Sequence, residues 1–256
     1  MTIIIPVERR NRIYKTIQAN GTVSVASLSK LLSVSEMTIR RDLEQMEMEG
    51  LLERTHGGAI ISQRIHLEPL YSEKHRAHPA EKRAIGQTAA SFVHDNETVL
   101  INSGSTTLQL FHHLAGKTNV KVITSNMNAF LEAQGSGIEL ILTGGTYRPQ
   151  SNSMVGPLAM LSLAQVNASK CFIGVDGVSL KYGVTTPNMQ EAEVARMMIE
   201  RTRGEVIVLA DHSKFGVVAD FLTAPLEKID ILITDAGMHP EAVENLQAAG
   251  IRVLTA

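Results

Sequence analysis

The sequence predicts a two-part α/β protein: a small N-terminal unit of three helices closed by a β-hairpin, residues 1–61, and a larger open, mostly parallel α/β sheet, residues 80–256, with 62–79 between them. Three observations predict it. Over roughly the first fifty positions apolar residues recur at helical spacing, in stretches stopped by Gly21 and Gly50. Two short strand-like runs then flank Gly57-Gly58, a hairpin turn signal. Beyond residue 80, short continuous apolar runs alternate with helix-length segments, as in strands buried on both faces by crossover helices.

In the first unit, Ile13, Ile17 and Tyr14 supply the buried stripe of a helix whose surface carries Arg9, Arg10, Arg12 and Lys15. Val23-Ser24-Val25 is short and alternating, and Ser27 to Leu32 reads as a second helix with Leu28, Leu31 and Leu32 as its apolar side. A tight turn through Ser33-Val34 leads to Ser35, whose hydroxyl can cap a third helix. There Ile39, Leu43 and Met46 fall at i, i+4 and i+7, with Met37, Arg41, Glu44 and Gln45 on the opposite face and Thr38 and Arg40 on its flanks. Two guanidinium forks, a hydroxyl and a flexible apolar tip suit base edges in a DNA major groove. Asp42 borders the apolar stripe and reads as a structural acid. With Leu51–Thr55 and Ala59–Ile61 as a hairpin, the unit is a winged helix-turn-helix, and Arg54 and His56 ride on its wing near phosphates. Candidate DNA contacts are therefore Arg9, Ser35, Met37, Thr38, Arg40, Arg41, Gln45, Arg54 and His56.

Charge supports this placement locally rather than globally. The 256 residues carry a net charge of only −2, but residues 1–41 hold seven Lys/Arg against two Glu, a net of +5. That excess supplies the sequence-independent attraction to phosphates on which base readout is superimposed. The single cysteine, Cys171, sits in a strand-like run and reads as a core filler, which fits a reducing cytoplasm. No stretch reaches membrane-spanning length, and Thr2–Pro6 is too short for a signal peptide. The nine histidines are scattered; His112-His113 and the His75/His78 pair lack metal-site spacing, so neither a metal nor a cofactor is expected.

Residues 62–79 are polar and irregular, with Pro69 and Pro79, and only Leu70–His75 suggests a helix. Strand-like runs follow at Thr98–Ile101, Val120–Thr124, Glu139–Thr143, Cys171–Val175, Val206–Ala210 and Ile229–Thr234. Helical segments are expected from Ala80 and over Thr107–Leu114, Met127–Ala133, Gln190–Glu200 and Pro240–Ala248. In such sheets a ligand binds beyond the C-terminal strand ends. The loop Asn102-Ser103-Gly104-Ser105-Thr106-Thr107 lies there, between a strand and a helix, and offers N–H groups and hydroxyls of the kind that bind phosphate. Asn126, Gly144 and Gly145 close the next two runs. Asp176, Glu191 and Lys214 add acids for hydroxyls and a cation for phosphate, so these residues form the candidate effector site for a phosphorylated polyol.

The run Arg9-x3-Ile13-x3-Ile17 followed by Ser35-x2-Thr38-Ile39-Arg40-Arg41-Asp42-Leu43 resembles, without gaps, the signature of the DeoR family of bacterial sugar-metabolism repressors. The later segments also resemble that family, whose sensor domain looks like ribose-5-phosphate isomerase and the CoA-transferase-like group, a Rossmann-like sheet. The resemblance runs from about Arg9 to Thr234 and is weakest over 62–79. It implies a repressor of a carbohydrate-utilisation operon, released from operator DNA by a sugar phosphate or related metabolite. A single reading head per chain further implies a dimer or tetramer. One position departs: the family usually has aspartate where Asn102 stands, which suggests either a more anionic effector or only altered turn stability. The alternative is an aldose–ketose phosphate isomerase with a fused DNA-binding unit, Glu191 serving as base. An isomerase has no use for the N-terminal motif.

Overall fold

The computed structural model describes residues 5–55, 57–61, 63–65 and 68–256. His56 lies outside the described residues. The head begins with α1 (Pro6–Asn20), which has proline in its first turn and stops where Gly21 takes φ 73°. β1 (Thr22–Ser24) leads directly into α2 (Val25–Leu32), capped by Ser24, so this helix starts two residues before its apolar pattern does. Ser33, at φ 54°, makes the turn into α3 (Glu36–Met48). The expected cap is present: the Thr38 backbone N–H donates to Ser35 Oγ at 3.2 Å. β2 (Leu52–Arg54) and β3 (Gly58–Ile61) are the antiparallel wing, and β1 adds to its far side in the order β1-β3-β2. That addition requires glycine at 58, where a Cβ would lie 1.8 Å from the Val23 carbonyl oxygen. Ile13, Ile17, Leu28, Ile39, Leu43, Met46 and Leu52 fill the core beneath.

The connector contains β4 (Gln63–Ile65) and α4 (Tyr71–Arg76). The sensor then runs α5 (Pro79–Ala90), β5 (Thr98–Ile101), α6 (Leu108–Phe111), β6 (Lys121–Thr124), α7 (Ala129–Glu132) and β7 (Glu139–Leu142). A hairpin of β8 (Thr146–Arg148) and β9 (Ser153–Val155) precedes α8 (Pro157–Ala164), β10 (Lys170–Gly174), β11 (Gly177–Ser179), β12 (Gly183–Thr186) and α9 (Met189–Glu200). The chain ends with β13 (Val206–Leu209), β14 (Val217–Ala219), β15 (Phe221–Ala224), β16 (Ile231–Thr234), α10 (Pro240–Ala248) and β17 (Arg252–Thr255).

Seven strands form one parallel sheet, ordered β17-β16-β13-β10-β5-β6-β7. The chain runs outward from β5 to β7 and then returns to β10 on the other side of β5, so the order reverses between β5 and β10. Alternate residues of each strand serve opposite faces. Leu100, Cys171, Ile173 and Val208 pack under α8, α9 and α10, while Val99, Ile101, Phe172 and Leu209 pack under α5 and α6. All six expected strands are present. β17 was not expected, because its four residues are half-exposed and mixed in polarity. The predicted helices at 107–114 and 127–133 shrink to the single turns α6 and α7.

The connector is bound to the sensor rather than loose: β4 pairs in parallel with β14, and the Tyr71 N–H donates to the Gln150 carbonyl at 2.9 Å. The wing also touches the sensor. Ser179 Oγ donates to Glu53 Oε1 at 2.7 Å, and the Thr55 hydroxyl donates to Glu241 Oε1 on α10 at 3.0 Å. Burial pushes the Glu53 carboxyl above its ordinary pKa, and its Oε2 has no hydrogen-bond partner among the described residues.

Candidate functional site

Two surfaces carry the candidate residues. On α3, Met37 is 61% exposed, and Arg40, Arg41 and Gln45 are exposed beside it. The Thr38 hydroxyl meets the Ser35 hydroxyl at 2.9 Å, Gln45 donates to Glu49, and Arg40 lies 3.7 Å from Glu36. Arg54 on the wing pairs with Glu47 at 3.4 Å and lies 3.9 Å from Glu44, which ties the wing to the back of the reading helix. Arg40 and Arg54 also line a groove of about 600 Å³ between head and sensor, with Val25, Leu180 and Asn245.

Arg9 departs from its expected role. Its Nε and Nη2 donate to the two oxygens of Asp42 at 2.5 and 3.1 Å, and both side chains are largely buried. That hydrogen-bonded pairing raises the Arg9 pKa and fastens α1 to α3. Arg9 is thus spent inside the head, and Asp42 is structural as expected. Ser35 likewise works as a cap, its hydroxyl turned to its own helix.

The second surface is a pocket at the C-terminal ends of β5, β6 and β10, where the strand order reverses. Asn102, Ser103, Gly104, Ser105, Thr106, Asp176, Glu191 and Lys214 all line it. Among the described residues, no protein acceptor takes the backbone N–H groups of Ser103, Gly104, Ser105 or Thr106. These amides are hydrogen-bond donors left available at the pocket. Asp176 lies 2.6 Å from Lys74 Nζ through one oxygen and accepts from the Thr186 hydroxyl through the other at 3.0 Å. Lys214 ends a 3₁₀ turn (His212–Lys214), held because the His212 N–H donates to Asp235 at 2.7 Å and the Ser213 N–H to Asp211 at 3.1 Å.

Glu191 sits in the first turn of α9, and its side chain reaches the pocket. Its Oε1 accepts from Ser153 Oγ at 3.0 Å and from Arg148 at 3.2 Å. Burial raises its pKa above the usual carboxylate range. Asn102 bridges the reversal point: its amide nitrogen donates to the Gly174 carbonyl, and its amide oxygen accepts from the Gly174 N–H, both at 2.8 Å. An aspartate could make only the second bond, so the amide at 102 is matched to the β5–β10 junction.

Thr107, Asn126, Gly144 and Gly145 do not line the pocket. Thr107 is fully buried and donates to the Asn102 and Gly104 carbonyls, which shapes the loop from behind. Asn126 braces the same loop through Gly104, and the two glycines occupy the turn into β8, where a Cβ on Gly145 would meet the Val155 carbonyl at 2.5 Å. Conversely, Tyr71, Lys74, Ser151 and Ser153 line the pocket although sequence reasoning passed them over, and Ser125, at the end of β6, lines it too. The serines could have been suspected from Ser-x-Ser in a Gly-poor polar stretch. No sequence signal marks Lys74, which precedes its partner Asp176 by about a hundred residues. No group of acidic, histidine or cysteine side chains among the described residues is arranged to hold a metal ion.

Fold and site together define a DNA-reading head carried on a ligand-binding α/β domain. A family model for the DeoR-like helix-turn-helix domain matches residues 9–64, and one for the DeoR C-terminal sensor domain matches 77–236. The HTH-type transcriptional regulator GlpR of Haloferax volcanii is 33% identical over 251 residues, 98% of each chain. GolR of Listeria innocua, another HTH-type transcriptional regulator, is 32% identical over 97% of this chain and 98% of its own. The chain belongs to the DeoR family of transcriptional regulators. It is a DNA-binding regulator and not an enzyme; nothing in these relatives favours the isomerase alternative. Among solved structures, ribose 5-phosphate isomerase A of Methanocaldococcus jannaschii aligns at 18% identity with a TM-score of 0.40, covering 54% of this chain and 55% of its own.

Proposed function

We propose that the protein represses a carbohydrate-utilisation operon and leaves its operator when a phosphorylated sugar or related metabolite fills the pocket. The observation that supports this most is the convergence of unengaged loop amides at 103–106, the cation Lys214 and the carboxylate of Asp176 in one pocket. Amides and lysine suit a phosphate; the carboxylate suits sugar hydroxyls. Release needs little energy: a hundredfold loss of operator affinity corresponds to about 2.7 kcal/mol of differential effector binding. With one head per chain, a dimer or tetramer presents heads to half-sites about 34 Å apart or multiples of it. The division into head 1–61, connector 62–79 and sensor 80–256 fits this role, as does a cytoplasmic location.

Duplexes selected from a random pool by the full-length protein provide the test. Wild type releases the selected duplex on addition of one member of a panel of aldose and ketose phosphates. Release by unphosphorylated sugars alone overturns the phosphate assignment. Arg41→Ala costs about 1–3 kcal/mol of duplex affinity with little change in melting temperature. Undiminished binding removes Arg41 from the reading face.

A further inference from the structure

The connector reaches into the pocket it was expected merely to precede. Residues 65–76 lie between the two family-model matches, yet Tyr71 and Lys74 of α4 line the cavity. The helix is fixed there from several directions. Lys74 Nζ pairs with Asp176 at 2.6 Å, and the Ser105 hydroxyl of the amide-rich loop faces the Lys74 carbonyl at 3.5 Å. Buried Lys82 donates to the carbonyls of Lys74 and Ala77, holding the C-terminal end of α4. Just upstream, Glu68 is gripped by Arg148, with contacts of 2.8 and 2.5 Å, and the same guanidinium holds Glu191 of the pocket wall at 3.2 Å.

The pocket is partly open to solvent, and its water-accessible space is about 50 Å³, room for a few water molecules and less than a sugar phosphate fills. A sugar phosphate therefore either projects from the mouth or displaces a wall. Among the other walls, Val155, Val175 and the α9 residues Val194 and Ala195 belong to the main core. α4 is six residues long with no fully buried residue; Tyr71 packs part-way on the core and polar contacts hold the rest, so a ligand that replaces the Lys74–Asp176 pair loosens this wall.

We propose that Lys74 is an effector-binding residue and that α4 is the movable wall of the pocket. An arriving anionic group takes the Lys74 ammonium, Asp176 turns to the ligand's hydroxyls, and α4 shifts on the chain that leads through β4 to the wing. This rests on the reading of the occupant as an anionic sugar.

The test uses full-length protein, with inorganic phosphate and a panel of aldose and ketose phosphates as probes. Binding is measured by calorimetry, and motion by hydrogen exchange of residues 68–77. Wild type binds at least one probe and changes exchange over 68–77. Lys74→Met weakens that binding at least tenfold, while Lys74→Arg, which keeps the cation, retains most of it. The melting curve of Lys74→Met shows whether it is folded, and Lys74→Arg carries the test if it is not. If wild type and Lys74→Met bind the probe equally, or exchange at 68–77 is unchanged on binding, the inference is overturned and the sugar-phosphate reading stands. If wild type binds no probe at all, that reading fails and takes the inference with it.

Discussion

Replacing Arg9 by alanine separates a structural cation from a DNA-reading one. In the head, the Arg9 guanidinium spans both oxygens of Asp42, with the two side chains 11% and 6% exposed. Alanine leaves the Asp42 carboxylate buried on the flank of α3 with its partner gone. Breaking a fully buried pair costs roughly 3–5 kcal/mol; the partial exposure of Arg9 reduces this to about 2–4 kcal/mol. A domain of this size shifts its midpoint by roughly 4–8 °C per kcal/mol, so the transition of the head falls by about 8–32 °C. Calorimetry of the full-length protein reads that shift. Duplex affinity, measured well below the new midpoint, stays within a fewfold of wild type. The double variant Arg9→Met with Asp42→Leu recovers most of the lost stability, because an apolar pair needs no desolvated charges. If Arg9→Ala melts like wild type but loses duplex affinity, the pairing with Asp42 is dispensable and Arg9 returns to the phosphate contacts.

Glu53→Gln tests the wing–sensor contact. Burial raises the Glu53 pKa in the folded protein, so the folded state holds its proton more tightly than the unfolded chain does. Stability from this group is then full below the ordinary glutamate value and is lost as pH rises through the raised one. Glutamine keeps the acceptor for Ser179 without the charge, so the variant melts higher than wild type at pH 8, by on the order of 1 kcal/mol, and the gap closes toward pH 4. A gap that widens on acidification refutes the assignment. Cys171 is fully buried, and burial pushes its thiol up to about 12. Iodoacetamide at pH 8 therefore labels it only as fast as the sensor unfolds, and rapid labelling of native protein contradicts that burial.

The elements most legible in the sequence are those whose physics is local. α3 declares itself by Ser35 and a stripe of Ile39, Leu43 and Met46, and six of the seven sheet strands by short continuous apolar runs. What stayed hidden depends on distant partners. β4 is polar and becomes a strand only because β14 offers it an edge. The pairing of Arg9 with Asp42 converts a residue with every mark of a phosphate contact into a brace. Gly144 and Gly145 looked like ligand loops because glycine permits close approach, but Gly145 is approached by the Val155 carbonyl and Gly144 only takes a left-handed φ of 68° in open space. Lys74 was out of reach because sequence spacing says nothing about two residues about a hundred positions apart meeting across a connector. The loop 102–106 was found because strand, turn and helix occur in unbroken succession.

β11 gives the protein a mechanical property. Asp176 immediately precedes this strand and Ser179 ends it, with Glu53 of the wing held at its tip. An extended strand rises about 3.3 Å per residue and cannot lengthen further, so these three steps form a strut of roughly 10 Å with almost no slack. Pull on the carboxylate end and the hydroxyl end must travel or let go.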